Sequence, residues 1–208
     1  MHIKKFPDRA LERDASPVKD QLAISLFVAA LPVPASIAIG IGYSTVTGVP
    51  EPNVAGKNIM YGVSSLFALG IVYYAFSSVE RRAAFPFRWP SRGELIWTLV
   101  CFPLGSAAYL GGRALAKAAG FSMGGYEYTL SDPVTVAAVI FGAVLVTPVA
   151  EEILFRGMLL GSLLGRGISP LLAGGLSILA FGAIHISLLG VAGVIATALW
   201  AIFPTLLR

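Results

Sequence analysis

The sequence predicts an all-α fold: a polytopic membrane helical bundle of about six transmembrane helices with both termini cytoplasmic. Three observations carry this. Of 208 residues, 56% are hydrophobic and 12% charged, where soluble domains carry about 25% charged residues. Apolar runs of the ~20 residues needed to cross a bilayer recur along the chain. Lys and Arg gather in alternate connections, as the positive-inside rule demands.

The elements follow in order. Residues 1–19 are polar and of mixed charge and read as a cytoplasmic N-terminal tail. They look like a tail rather than a signal peptide, because the apolar run behind them is too long for an h-region and has no obvious A-x-A site. The rest, 20–208, reads as a single transmembrane domain, the natural count for this length. Its first span covers about 20–47 and holds Pro32 and Pro34, so a kink or break is expected inside it. The second covers about 58–79 and the third about 93–119, interrupted by Pro103. The fourth, about 133–164, is longer than a bilayer needs and should tilt or project. The fifth and sixth cover about 170–188 and 189–207, with Gly190 and Gly193 marking the join.

Basic residues agree with this layout. The tail holds Lys4, Lys5, Arg9, Arg13 and Lys19, and the connection after the second span holds Arg81, Arg82, Arg88 and Arg92. Arg166 lies in the turn after the fourth span and Arg208 at the end of the sixth. Segments 48–56 and 120–131 contain no Lys or Arg. Arg113 and Lys117, near the outer end of the third span, are the exceptions; they snorkel or line a cavity. The segment Phe85-Pro86-Phe87-Arg88-Trp89-Pro90 has the composition of an interfacial belt, with a gate for entry from lipid as the functional alternative. The net charge of +4 is accounted for by helix ends, so no nucleic-acid partner is implied. A single cysteine, Cys101, excludes an internal disulfide and a cysteine metal cluster.

The stretch that departs from this pattern is Pro148-Val149-Ala150-Glu151-Glu152-Ile153-Leu154-Phe155-Arg156-Gly157, which puts three charges in an apolar span. Each charge costs about 2.5–3.5 kcal/mol at a bilayer centre on insertion scales, so each needs a partner or a wet cavity. Glu152 and Arg156 are four apart and share a helix face, acid first, the better orientation for pairing. Glu151 lies about 100° around the helix, and its i+4 neighbour Phe155 cannot neutralise it. The candidate partner is His185, which closes the stretch Phe181-Gly182-Ala183-Ile184-His185. The midpoint of 151 and 185 is 168, inside the breaker-rich turn Leu164-Gly165-Arg166-Gly167-Ile168-Ser169-Pro170. A hairpin folded there puts Glu151 and His185 at one depth, each ~25 Å from the bend at 1.5 Å per residue.

A carboxylate and an imidazole in a membrane cavity can hold and activate a water, the acid as general base. Hydrolysis of an amide bond in or near the bilayer is the reaction class this suggests, with Glu152 and Arg156 supporting the site. No cofactor is needed. Zinc held by Glu151, Glu152 and His185 is the alternative, although catalytic zinc commonly takes three protein ligands and no HExxH occurs. Without chemistry, the same residues read as a structural ion pair beside a hydrogen-bonded histidine. A proton-coupled transporter using Glu151 is a third possibility.

Glu151-Glu152-x-x-x-Arg156 followed by Phe181-x-x-x-His185, with Phe155-Arg156-Gly157 and Phe181-Gly182 around them, resembles the first two motifs of the CPBP family. These are the CAAX proteases and bacteriocin-processing membrane proteins, also called the Abi family. The resemblance covers about 133–208, with the motifs at 148–188. It implies an intramembrane endopeptidase with Glu151 as base, His185 assisting, and Glu152, Arg156 and Phe181 in support. It also implies a multi-pass location in a bacterial cytoplasmic membrane, lipid contact, and a peptide or membrane-protein substrate, either CAAX-type or linked to bacteriocins and self-immunity. The family's further motif, a histidine followed four residues later by Asn, Asp or Ser and thought to form the oxyanion hole, has no match after His185. A truncated chain, substitution by a hydroxyl such as Thr197 or Thr205, or a non-catalytic immunity or partner-binding protein on the same fold would each account for that.

Overall fold

The computed structural model describes residues 18–85, 89–125 and 131–207. The tail at 1–17 and residues 86–88 of the expected interfacial segment lie outside the described residues. Every regular element described is helical. They are α1 (Leu22–Ala30), α2 (Pro32–Thr47), α3 (Val54–Ala75), the short α4 (Ser78–Ala84), α5 (Arg92–Ala118), α6 (Pro133–Gly165), α7 (Pro170–Ile184) and α8 (Ile186–Leu206).

Five of the spans, with α1 and α2 taken together, are long and apolar enough to cross a membrane. The protein is a multi-pass integral membrane protein. Its large outward side chains fit that solvent: on α5, Trp97, Leu99, Phe102 and Leu115 are all more than half exposed. An apolar surface this extensive needs lipid around it.

The three breaks expected inside or between spans take different forms. Leu31 separates α1 from α2 but keeps helical dihedrals. Pro32 and Pro34 lack the N–H groups that would bridge that turn, so hydrogen bonding lapses without the axis breaking. Pro103 lies inside α5, which continues through it. The join of the last two spans carries the break that its glycine marks. α7 ends at Ile184 with His185 as its cap, one turn follows, and Gly190 interrupts α8 with φ 66° and ψ −170°, dihedrals that glycine adopts without steric cost. At 15 residues, α7 is about 22 Å long, shorter than the hydrocarbon thickness, so the fifth span of the expectation is a shorter apolar helix.

α6 is the organising element. Asp132 caps its start by accepting from the Val134 and Thr135 amides. Two stretches within it, Ile140–Val146 and Glu152–Leu159, are π-helical. Its second half is the most buried part of the molecule: Leu154, Phe155, Met158 and Leu159 form the core with Val28, Val72 and Ala84. Ser25 and Ser162 meet at 3.1 Å inside it, and the Ser162 hydroxyl also donates to the Val18 carbonyl.

α4 ties the N-terminal segment to this core. Ser77 and Glu80 form a capping box, and Gln21 Nε2 donates to Glu80 Oε1 at 2.6 Å. The Ser77 hydroxyl, then its amide, hold the Glu80 carboxyl below its ordinary value, with Gln21 adding to both. The stabilisation is therefore present above the ordinary glutamate value and lost as pH falls through the lowered one. Glu80→Ala is expected to cost about 0.5–2 kcal/mol, the usual range for a lost cap. Thermal unfolding in detergent should show a lower midpoint at pH 7 and a smaller further loss on acidification than the wild type shows.

Candidate active site

α6 and α7 form the hairpin that the breaker-rich turn at 164–170 predicts, joined through residues 166–169, and it brings Glu151 and His185 together. Glu151 Oε1 and His185 Nε2 are 3.8 Å apart, with both side chains about one-sixth exposed. The imidazole is oriented by its own helix: Nδ1 lies 2.8 Å from the Phe181 carbonyl. A carbonyl only accepts, so Nδ1 carries the proton and Nε2 presents its other valence to Glu151. At 3.8 Å the pair is too long for a direct hydrogen bond and has the right span for one bridging water.

Phe181 anchors the remaining groups. Its ring lies edge-on to Phe155 at 5.3 Å, tilted on His185 at 4.9 Å and stacked on Trp200 at 6.2 Å. The Arg156 guanidinium sits over the same ring, 4.5 Å from its centre, a cation–π contact that strengthens when desolvated. Arg156 Nε is 3.8 Å from Glu152 Oε2, but the side chains are unequal: Arg156 is 3% exposed and Glu152 49%. The arginine is thus the interior partner, and the glutamate reaches it from the edge. Ser177 donates to the Phe155 carbonyl at 3.2 Å and locks α7 onto the π-helical stretch of α6.

Glu151 and His185 line a cavity of about 450 Å³, whose polar wall includes Ser36, Asn58, Tyr61 and Thr147. His185 also borders a second cavity of about 400 Å³ on its other side, an apolar one walled by Tyr109, Phe181, Thr197 and Trp200. Thr197, one of the hydroxyls suggested by sequence, lines that second space and donates to the Gly193 carbonyl at 2.7 Å. Thr205, the other, borders neither cavity and packs its methyl toward Gly174. The zinc donor set does not assemble: among the described residues no three His, Cys, Asp or Glu side chains gather closely enough to hold a metal.

With this geometry in place, comparison with known proteins is specific. Residues 133–208 match the family model described as type II CAAX prenyl endopeptidase Rce1-like. This part of the chain is similar to that peptidase family. The Rce1-like segment comprises α6, α7 and α8 and holds Glu151, Glu152, Arg156, Phe181 and His185. Ser36, Asn58 and Tyr61 reach the cavity from α2 and α3, outside the match. No curated protein and no solved structure matches the chain.

Sequence reasoning misses the π-helical stretches, Thr147, Asn58 and the second cavity. Pro148 is the available signal for the first of these. It lacks an amide hydrogen, and the Thr147 amide before it bonds to the Gly142 carbonyl five residues back.

Proposed function

We propose that this protein is an intramembrane endopeptidase in which Glu151 is the general base and His185 its assistant. The observation that carries the reading is the Glu151–His185 pair facing one cavity at 3.8 Å. A water between them gives a proton to the Glu151 carboxylate while its oxygen bonds to the scissile carbonyl carbon. The tetrahedral intermediate then collapses, the C–N bond breaks, and the proton passes to the departing amine nitrogen. His185 Nε2 orients the water by accepting its other hydrogen. Phe181 and Arg156 hold the imidazole from behind, and Glu152 steadies Arg156.

Similarity to the Rce1-like family favours a substrate with a CAAX-type C terminus presented from the membrane; bacteriocin or self-immunity peptides are the second class. The alternation of basic residues supports one transmembrane domain over 20–208 with both termini in the cytoplasm.

The test is cleavage of an internally quenched, prenylated CAAX peptide by purified protein in nanodiscs. Product formation is expected, and it is expected to survive exhaustive dialysis against chelator, because the base is a carboxylate. Activity abolished by chelation and restored by zinc would replace this mechanism with a metal-centred one. A folded wild type that cleaves neither this peptide nor the endogenous membrane substrates would support the non-catalytic alternative.

A further inference from the structure

A second group in the catalytic cavity is placed to act on the same water. Thr147 lines the cavity with Glu151 and lies one helical turn before it. Residues four apart on a helix have Cβ atoms about 5–6 Å apart, a gap that one water fills. Thr147 is 9% exposed, and its hydroxyl oxygen is buried without a hydrogen-bond partner. Several other helical hydroxyls bond back to a carbonyl of the preceding turn: Thr45 to Ile41, Ser64 to Met60, Thr98 to Glu94, Ser106 to Phe102. Thr147 does not. It ends the first π-helical stretch, where its own amide bonds five residues back, to Gly142. The widened turn moves the carbonyl four residues back out of the usual place for such a bond. A buried hydroxyl left unpaired costs about 1–3 kcal/mol, and the nearest space that can supply a partner is the cavity that Thr147 lines.

We infer that Thr147 is a water-holding residue: its hydroxyl turns to the cavity and fixes the attacking water against the Glu151 carboxylate. The water then has three partners, within the two to four that ordered buried waters make. The inference rests on the Glu151 mechanism proposed above and adds a residue that the two family-like motifs do not contain.

The test uses two variants and two readouts. Thr147→Val keeps the shape and removes the hydroxyl; Thr147→Ser keeps the hydroxyl. On the prenylated peptide, Thr147→Val is expected to lower kcat about tenfold, the equivalent of one ordinary hydrogen bond, with KM unchanged, and Thr147→Ser to stay near wild type. The second readout needs no turnover. The carboxyl stretching band of Glu151, identified as the infrared band lost in Glu151→Gln, is expected to shift in Thr147→Val and not in Thr147→Ser. An unshifted band in Thr147→Val, or equal kcat in wild type and Thr147→Val, overturns the role of Thr147 and leaves the Glu151 mechanism standing. Cleavage that persists in Glu151→Gln removes the mechanism itself. If wild type cleaves nothing, the infrared comparison still decides whether Thr147 and Glu151 share a water.

Discussion

Glu151→Gln is expected to lower peptide cleavage by about 10²–10⁴-fold, the usual contribution of a positioned general base, while the bundle stays folded. Glutamine has nearly the same shape and still hydrogen-bonds, but it cannot accept the water's proton at neutral pH. Glu151 is not among the packed core residues, which include Leu154, Phe155 and Met158 of the same helix. The thermal midpoint of the variant should therefore lie close to that of wild type. Glu152→Gln provides the contrast. Its carboxylate is 49% exposed and 3.8 Å from Arg156, and exposed pairs contribute only about 0–1 kcal/mol, so cleavage should fall modestly. Wild-type rates in Glu151→Gln, or an equal loss in both variants, would falsify the assignment of Glu151 as base. Loss of a transported ion current with intact cleavage would point instead to the proton-coupled reading.

Glu151 stands out in the sequence because it is an acid in a greasy span with no neighbour on its own helix able to neutralise it. The hairpin follows from Gly165, Gly167 and Pro170, and the equal depth of Glu151 and His185 from counting to the middle of that turn. What the sequence leaves illegible depends on contacts remote along the chain. Arg156 shares a face with Glu152 by periodicity, yet its guanidinium lies over Phe181, twenty-five residues on. The π-helical stretches arise where a hydrogen bond slips by one residue, a change that leaves composition untouched. His185 caps α7, its ring bonding back to the Phe181 carbonyl, five residues before the break at Gly190 that the glycine pattern marks. The walls contributed by α2 and α3 have no motif to announce them, since their role is to come close to α6 rather than to do chemistry.

That closeness has the second large expected effect. Gly142→Ala should destabilise the bundle by roughly 1–3 kcal/mol, the range for overpacking a tight contact, and Gly142→Val by more. A Cβ at 142 would run into the Asn58 carbonyl, with the Asn58 Cβ at 3.3 Å behind it. Both obstacles belong to α3 or stand directly on it, so no flexible side chain can swing aside and the helices themselves must separate. The approach is mutual: a Cβ at Gly62 would meet the Phe141 ring at 3.0 Å and the Gly142 Cα at 3.2 Å. Small residues at such crossings let backbones pack closely in lipid, where no hydrophobic effect drives helices together. Because Asn58, Tyr61, Gly142 and Thr147 all border the cavity with Glu151, separation of α3 from α6 also opens the wall of the site. Cleavage should then fall in Gly142→Ala even at temperatures where the protein remains folded. Gly70, further along α3, is the control: nothing lies within 4 Å of a Cβ there, and Ala replaces Gly in a helix with a gain of about 0.5–1 kcal/mol. If unfolding in detergent gives Gly142→Ala and Gly70→Ala equal midpoints, then α3 does not pack tightly on α6, and the cavity lacks the wall that keeps bulk solvent and lipid away from Glu151.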